Sequence, residues 1–427
     1  MTERRTYRLV YWFLITILTI MPFWSAIIAF ISDRSALDYF QIFAVRSWYE
    51  PVLLILFMLV VFNPRWEKRG LELKVFDYLI FIYLIWSIIS IFCNHLTISQ
   101  GIQGLRYNGL FFGFYLLARF SFFSEARIQF AENLVLIFGR VLSLWAIIEV
   151  VFLRSDYWQR LGILSADSGF GFGATHTVVS VPQAMATMEG PNQLGSFLLL
   201  PFFIALSRKS KNPNRALTDW LWLIIIAGAI VLSFSRSAIL GLIVGLIFFL
   251  IFDRKMAIKE KIILSFTPII LGALSVAYFI NRGGGLRDFW THGASNQSHW
   301  YSMYQALVSD RTIPELFFGS GIGTAGPASF NFIGNIQESW YLQIITELGL
   351  IGFLLWLSIV VLITINFFKK NRALSLGLIS VSVAAIFLHT FADNPVLSFT
   401  LFILLGMQLG QSFEKLKPPI KFKQSSK

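Results

Sequence analysis

Apolar runs long enough to cross a bilayer follow one another from about residue 9 to about residue 412. No single soluble core can bury so many of them. An α-helix rises 1.5 Å per residue, so about 20 mostly apolar residues cover the ~30 Å of hydrocarbon. On that rule spans fall at 9–31, 47–62, 75–93, 105–120, 129–153, 190–207, 218–235, 237–252, 262–280, 338–367, 373–391 and 395–412. Composition agrees, since charged residues make up only 14% of the chain, against roughly 25% in soluble domains. The 44 Phe and 13 Trp suit lipid contact and the interfacial belts. The sequence therefore predicts an all-α polytopic integral membrane protein with about 12 transmembrane helices, residues 1–427 forming a single transmembrane domain.

The formal net charge is +12, but its distribution argues against a nucleic-acid partner. Lys and Arg sit in short clusters between spans, a topology pattern rather than a binding face. With the N-terminus inside, the inner segments take Arg4, Arg5 and Arg8, then Arg65 to Lys74, Arg119 and Arg127, Arg208 to Arg215, Arg254 to Lys261, Lys369 to Arg372, and the lysines of the tail. This bias puts both termini in the cytoplasm. The first apolar run reads as a retained helix rather than a cleaved leader, because no small-residue cleavage site follows it. A lone cysteine, Cys93, excludes an intramolecular disulfide. No His, Cys or carboxylate set has metal-ligand spacing, so a metal site is not indicated, and no cofactor is expected.

Two outer segments are too long to be turns. Residues 154–189 are rich in Gly, Ser and Thr, and residues 281–337 form a large extracytoplasmic loop carrying Trp, Tyr, His and several Gly. Within the second, His299 to Leu307 places Trp300, Met303, Tyr304 and Leu307 on one helical face.

Polar groups at membrane depth carry the functional signal. Ser233-Phe234-Ser235-Arg236-Ser237 lies between two apolar runs with no true loop. The Arg236 guanidinium offers five fixed donors suited to a phosphate or diphosphate, with Ser235 and Ser237 as further donors; snorkelling to outer headgroups is the structural alternative. Glu189-Gly190-Pro191-Asn192-Gln193 opens the sixth span. Pro191 makes a helix start, which does not account for Glu189 and Asn192 crowding the same boundary. Gly319-Ser320-Gly321-Ile322-Gly323 could present backbone N–H groups to an anion. Glu338 opens the tenth span, either as a helix cap or as a reactive carboxylate, and Glu347 falls inside its apolar region, facing protein or water. Arg106, at the outer start of the fourth span, and Arg46 are further cationic candidates. Arg140 lies deeper and is expected to pair with Glu149 or a carbonyl.

Taken in order, Glu189–Gly195, Ser233–Gly241, Phe318–Gly323 and Glu338–Gly352 resemble the O-antigen ligase and O-antigen polymerase family of bacterial envelope enzymes, over about residues 185–360. The resemblance implies a C-type (GT-C) membrane glycosyltransferase fold and a glycan donor linked to undecaprenyl diphosphate. It also implies surface-polysaccharide chemistry, including lipopolysaccharide ligation, on the outer side of the bacterial cytoplasmic (inner) membrane, with a glycan or lipid acceptor. The ligases typically carry His followed by Asn where this chain has Glu338-Ser339, which shifts the expectation toward a polymerase or a different acceptor.

On this reading Arg236 binds the diphosphate. Arg106, or a loop arginine such as Arg282, Arg287 or Arg311, assists it. Glu338 accepts the acceptor hydroxyl's proton, His299 being the other candidate base, and Trp300 offers a face for sugar stacking. The rival readings are a lipid-linked glycan flippase or transporter and a protein O-oligosaccharyltransferase. The first is expected to show internal repeats, which the sequence lacks, and ionisable residues along a midplane pathway, whereas this chain concentrates its polar motifs at the outer face.

Overall fold

A computed structural model of the protein describes residues 3–34, 39–62, 73–153, 177–178, 181–211, 217–253, 256–281, 304, 312–329 and 339–410. The described residues are almost entirely helical. In chain order they form α1 (Glu3–Ile20), a 3₁₀ turn (Met21–Phe23), α2 (Trp24–Arg34), α3 (Tyr39–Arg46), α4 (Tyr49–Val61), α5 (Val75–Cys93), α6 (Ile98–Phe120) and α7 (Glu125–Val151). There follow the two-residue strands β1 (Thr177–Val178) and β2 (Val181–Pro182), then α8 (Pro191–Lys211), α9 (Leu217–Leu232), α10 (Arg236–Phe252) and α11 (Ile258–Asn281). Last come α12 (Ile313–Phe318), α13 (Gly326–Ser329), α14 (Trp340–Lys370), α15 (Arg372–Ala384) and α16 (Pro395–Gly410).

A helix lies within every segment expected to span. Four stretches are long and apolar enough to cross a membrane: Arg5–Ser32, Val75–Cys93, Glu125–Val151 and Trp340–Lys370. Shorter apolar helices run over Tyr49–Val61, Leu217–Leu232, Arg236–Phe252, Arg372–Ala384 and Pro395–Gly410. Large apolar side chains are exposed along the helix flanks, among them Leu54, Ile85, Ile148, Ile269 and Leu354. In water such a surface would be an aggregation liability; against lipid it is the expected exterior.

The boundaries move in two informative places. The fourth span was expected from residue 105, but α6 begins at Ile98, capped by the Thr97 hydroxyl accepting from the Gln100 N–H at 3.3 Å. Ser99, Gln100 and two glycines lower the hydropathy there, which hides the first turns. Arg106 therefore sits about two turns inside the helix rather than at its start. The eleventh span was expected to reach residue 391, yet α15 stops at Ala384. The Trp340 N–H, in the first turn of α14, donates to the carbonyls of Ala385 and Leu388, both at 3.1 Å. The chain there turns back to start α16 at Pro395, where the Asn394 side chain accepts from the Leu397 N–H.

The centre of the bundle is aromatic. Trp340 and Trp356 are fully buried with ring centroids 5.1 Å apart, and Phe391 lies 4.9 Å from Trp356. Phe111 stacks on Phe402 at 4.8 Å, joining α6 to α16.

The two ends of the bundle differ. At one end, Arg119, Arg208 and Arg372 are tied to carboxylates. Arg119 pairs with Asp77 at 3.3 Å, and Tyr115 donates to the same carboxylate. Asp253 accepts from Arg372 at 2.7 Å and from Ser210 at 2.5 Å. Glu132 collects Asn371 at 2.7 Å, Gln408 at 3.0 Å and Arg208 at 3.4 Å, stitching α7, α8, α15 and α16 together. The expected Arg140–Glu149 pair does not form. Nine residues is two and a half turns, which puts the two side chains on opposite faces of α7. Arg140 lies over the Trp222 ring, and Glu149 accepts the N–H groups of Met185 and Ala186 at 3.1 and 2.7 Å.

Candidate functional site

At the opposite end of the bundle, the Glu189–Gln193 and Ser233–Ser237 motifs meet the segment before α16. The start of α8 joins them. The Gln193 side-chain amide donates to Asp393 at 2.8 Å, while the Gln193 main-chain carbonyl accepts from the Asn394 side-chain amide at 2.8 Å. One turn on, Gly195 leaves room for the Ser233–Phe234–Ser235 turn; a side chain there would meet the Ser233 hydroxyl and the Ser235 Cβ. Phe234 takes a left-handed backbone conformation, φ 53°, which lets α9 reverse into α10 without a loop.

Beside Asp393 opens a cavity of about 220 Å³, lined by Arg46, Arg106, Glu189 and Asp393, with Phe43 and Tyr107 among its aromatic walls. Each arginine already has a carboxylate. Arg106 contacts Glu50 at 2.5 Å, donates to the Ser47 hydroxyl at 2.9 Å and covers the Phe43 ring. Arg46 stands 3.9 Å from Glu189. Burial pushes Asp393 up to about 6, against the Gln193 hydrogen bond and the Arg46 charge. Burial also raises Glu189, reinforced by the neighbouring Asp393 charge and offset by Arg46. A carboxyl titrating near neutrality in a polar cavity is equipped to take a proton from a hydroxyl.

Two sequence expectations change here. Ser235 and Ser237 are buried, their hydroxyls 3.2 Å apart, so they brace the turn instead of lining an open surface. Arg236, by contrast, is exposed at the start of α10, and it is not part of the lining of the Arg46–Arg106 cavity. Asn192 is exposed on the first turn of α8. Glu338, His299, Trp300, Arg287 and Arg311 lie outside the described residues, as do residues 154–176 of the segment expected to form the first outer loop and the helix expected over His299–Leu307, apart from Tyr304.

The Gly319–Gly323 turn binds no external anion through its backbone, because its donors are already spent inside the protein. α14 contains a break at Gly349, φ 69° and ψ −171°, a backbone state open to glycine and strained for other residues. The break leaves the carbonyls before it without helical partners. Thr346 and Glu347 carbonyls accept from the N–H groups of Ser320 and Gly321 at 2.8 and 2.9 Å, and the Leu348 carbonyl accepts from the Trp86 indole at 3.1 Å. The fully buried Glu347 carboxyl takes the N–H groups of Gly323 and Ala325 at 3.0 and 3.1 Å and the Asn108 amide at 2.8 Å. Irregular backbone at this depth is tolerated because protein covers it. The glycine turn and the Glu347 helix are thus two halves of one internal joint.

Sequence reasoning singled out Arg46, Arg106 and Glu189 separately and missed Asp393 as their companion. Its signal was the Asn394-Pro395 helix start, which places it at the same end of the bundle as Glu189. Among the described residues no cluster of His, Cys, Asp or Glu could hold a metal ion. No family model and no curated protein matches the chain.

Proposed function

We propose that this protein is a membrane glycosyltransferase that transfers or polymerises a glycan from an undecaprenyl-diphosphate-linked donor at the outer face of the bacterial cytoplasmic membrane. On this reading each of the twelve apolar segments crosses the membrane, the shorter helices included, in a C-type fold with both termini inside. The observation that carries the proposal is the asymmetry of the bundle. Among the described residues Arg119, Arg208 and Arg372 pair with carboxylates at one end, whereas a polar cavity joins widely separated segments at the other. Positive-inside bias makes the cavity end the outer one.

The chemistry is a direct displacement. The acceptor hydroxyl oxygen attacks the anomeric carbon, the bond from that carbon to the diphosphate breaks, and its electron pair leaves with the lipid diphosphate. Arg236, exposed at the start of α10, stabilises the leaving charge. The hydroxyl proton goes to Glu338, with His299 as the other candidate base. Asp393 adds a cavity carboxyl raised into the useful range. Arg106 is held by Glu50 and Ser47, so it assists only if a ligand displaces them.

Purified protein given an undecaprenyl-diphosphate-linked oligosaccharide is expected to give a ladder of lengthening glycan as a polymerase, or one transfer to an added acceptor as a ligase. Both products should be lost in Arg236→Ala and Glu338→Gln. Turnover unchanged by Arg236→Ala would remove the diphosphate role of that arginine. Transfer to a hydroxyl-bearing peptide would identify a protein O-oligosaccharyltransferase.

A further inference from the structure

The cavity at the outer end carries a charge balance that selects its ligand. Its lining contributes two guanidinium groups, from Arg46 and Arg106, and two carboxyls, from Glu189 and Asp393. Glu50, behind Arg106, adds a third carboxyl. Among the described residues the arginines are therefore matched or outnumbered. Anion sites have the opposite arrangement, with donors and cations aimed at the ligand and no competing carboxylates. A phosphate or uronate placed here would meet Glu189 and Asp393 as like charges inside a partly desolvated space.

We infer that the Arg46–Arg106–Glu189–Asp393 cavity is a binding subsite for an uncharged sugar ring of the glycan, separate from the diphosphate site. This rests on the glycosyl-transfer reading above and deepens it. Sugar hydroxyls both donate and accept, so they suit a wall where carboxyl oxygens alternate with guanidinium N–H groups. Gln103 on the same lining extends that alternation. Phe43 and Tyr107 supply apolar faces for the C–H side of a pyranose. The volume, about 220 Å³, is below the ~300–1,000 Å³ of pockets for larger ligands, so it holds a ring rather than a chain. Gln193 fixes Asp393 and Arg46 stands beside Glu189, so the acceptors are oriented before the sugar arrives.

The test is binding, read by saturation-transfer NMR on the full chain in lipid nanodiscs. The probes are N,N′-diacetylchitobiose and maltose as neutral saccharides, digalacturonate as an acidic one, and inorganic pyrophosphate as competitor. At least one neutral disaccharide should show transfer, digalacturonate should not, and excess pyrophosphate should leave the neutral signal in place. Glu189→Gln combined with Asp393→Asn should weaken the neutral saccharide about tenfold, by loss of charge-assisted hydrogen bonds. The same double variant should gain digalacturonate binding, a change that misfolding does not produce. The inference is overturned if pyrophosphate displaces the saccharide, if digalacturonate binds wild type as well as the neutral sugars do, or if neither neutral sugar binds. Failure of the transferase reading would look different, with saccharide binding intact and no lipid diphosphate released.

Discussion

Replacing Glu347 by leucine isolates the joint between the glycine turn and the broken helix. Leucine is close to glutamate in size, so the change removes acceptors rather than volume. Asn108 also donates to the Gly104 carbonyl at 3.0 Å, so its amide keeps one partner. The N–H groups of Gly323 and Ala325, at 3.0 and 3.1 Å from the lost oxygen, lose that acceptor. A buried donor without an acceptor costs about 1–3 kcal/mol, so the pair costs about 4 kcal/mol. At roughly 2 °C per kcal/mol for a chain beyond 150 residues, melting should fall by about 8 °C. Glu347→Gln keeps one carbonyl oxygen for the two backbone donors and should lose less than half as much. Thermal unfolding of the protein in nanodiscs, followed by near-UV circular dichroism, compares the two. If leucine shifts melting by less than about 2 °C, or if glutamine is as damaging as leucine, acceptor geometry is not what Glu347 provides.

Other perturbations test neighbouring parts of the account. Gly349→Ala puts a Cβ against the Phe317 carbonyl at a positive φ; it should cost at least ~2–3 kcal/mol and reduce folded yield in size-exclusion profiles. Arg119→Met strands the buried Asp77 carboxyl and should destabilise by about 3–5 kcal/mol, largely rescued when Asp77→Asn is added, as thermal scans of the double variant would show. Asp393 gives a pH test. Its folded value, about 6, is raised above the unfolded ~3.9, so its stabilising contribution is full below about pH 4 and is lost as pH rises through 6. Asp393→Asn should flatten that part of the stability–pH curve, and an unchanged curve would place the titration elsewhere.

The helices were legible in the sequence because each is an apolar run with little else to be, and α5 begins and ends where hydropathy places it. The errors came where tertiary contacts override hydropathy. The polar first turns of α6 are held by its Thr97 cap, and α15 ends early because the Trp340 N–H binds the chain beyond it. The basic clusters were visible in the sequence, but the acidic partners of Arg119, Arg208 and Arg372 were not. Asp77, Glu132 and Asp253 meet cations 42, 76 and 119 residues away, and no local pattern announces such pairs. The glycine turn and Glu347 looked like two independent motifs, one for an outside anion and one for protein or water. They satisfy each other, and only their proximity in space shows it. In the cavity, Arg46, Arg106 and Glu189 were visible as unusual charges near a boundary. Their mutual neutralisation was not, since it depends on α3, α4, α6 and the α15–α16 connection arriving together.

The most direct measurement reconstitutes the full chain in liposomes with an undecaprenyl-diphosphate oligosaccharide labelled on both the lipid and the sugar. The account predicts that free undecaprenyl diphosphate appears in step with sugar transfer, at the liposome face bearing the Arg46–Asp393 end, and that Arg236→Ala stops both. Movement of intact doubly labelled lipid between leaflets, with no diphosphate released, would contradict it and identify a flippase.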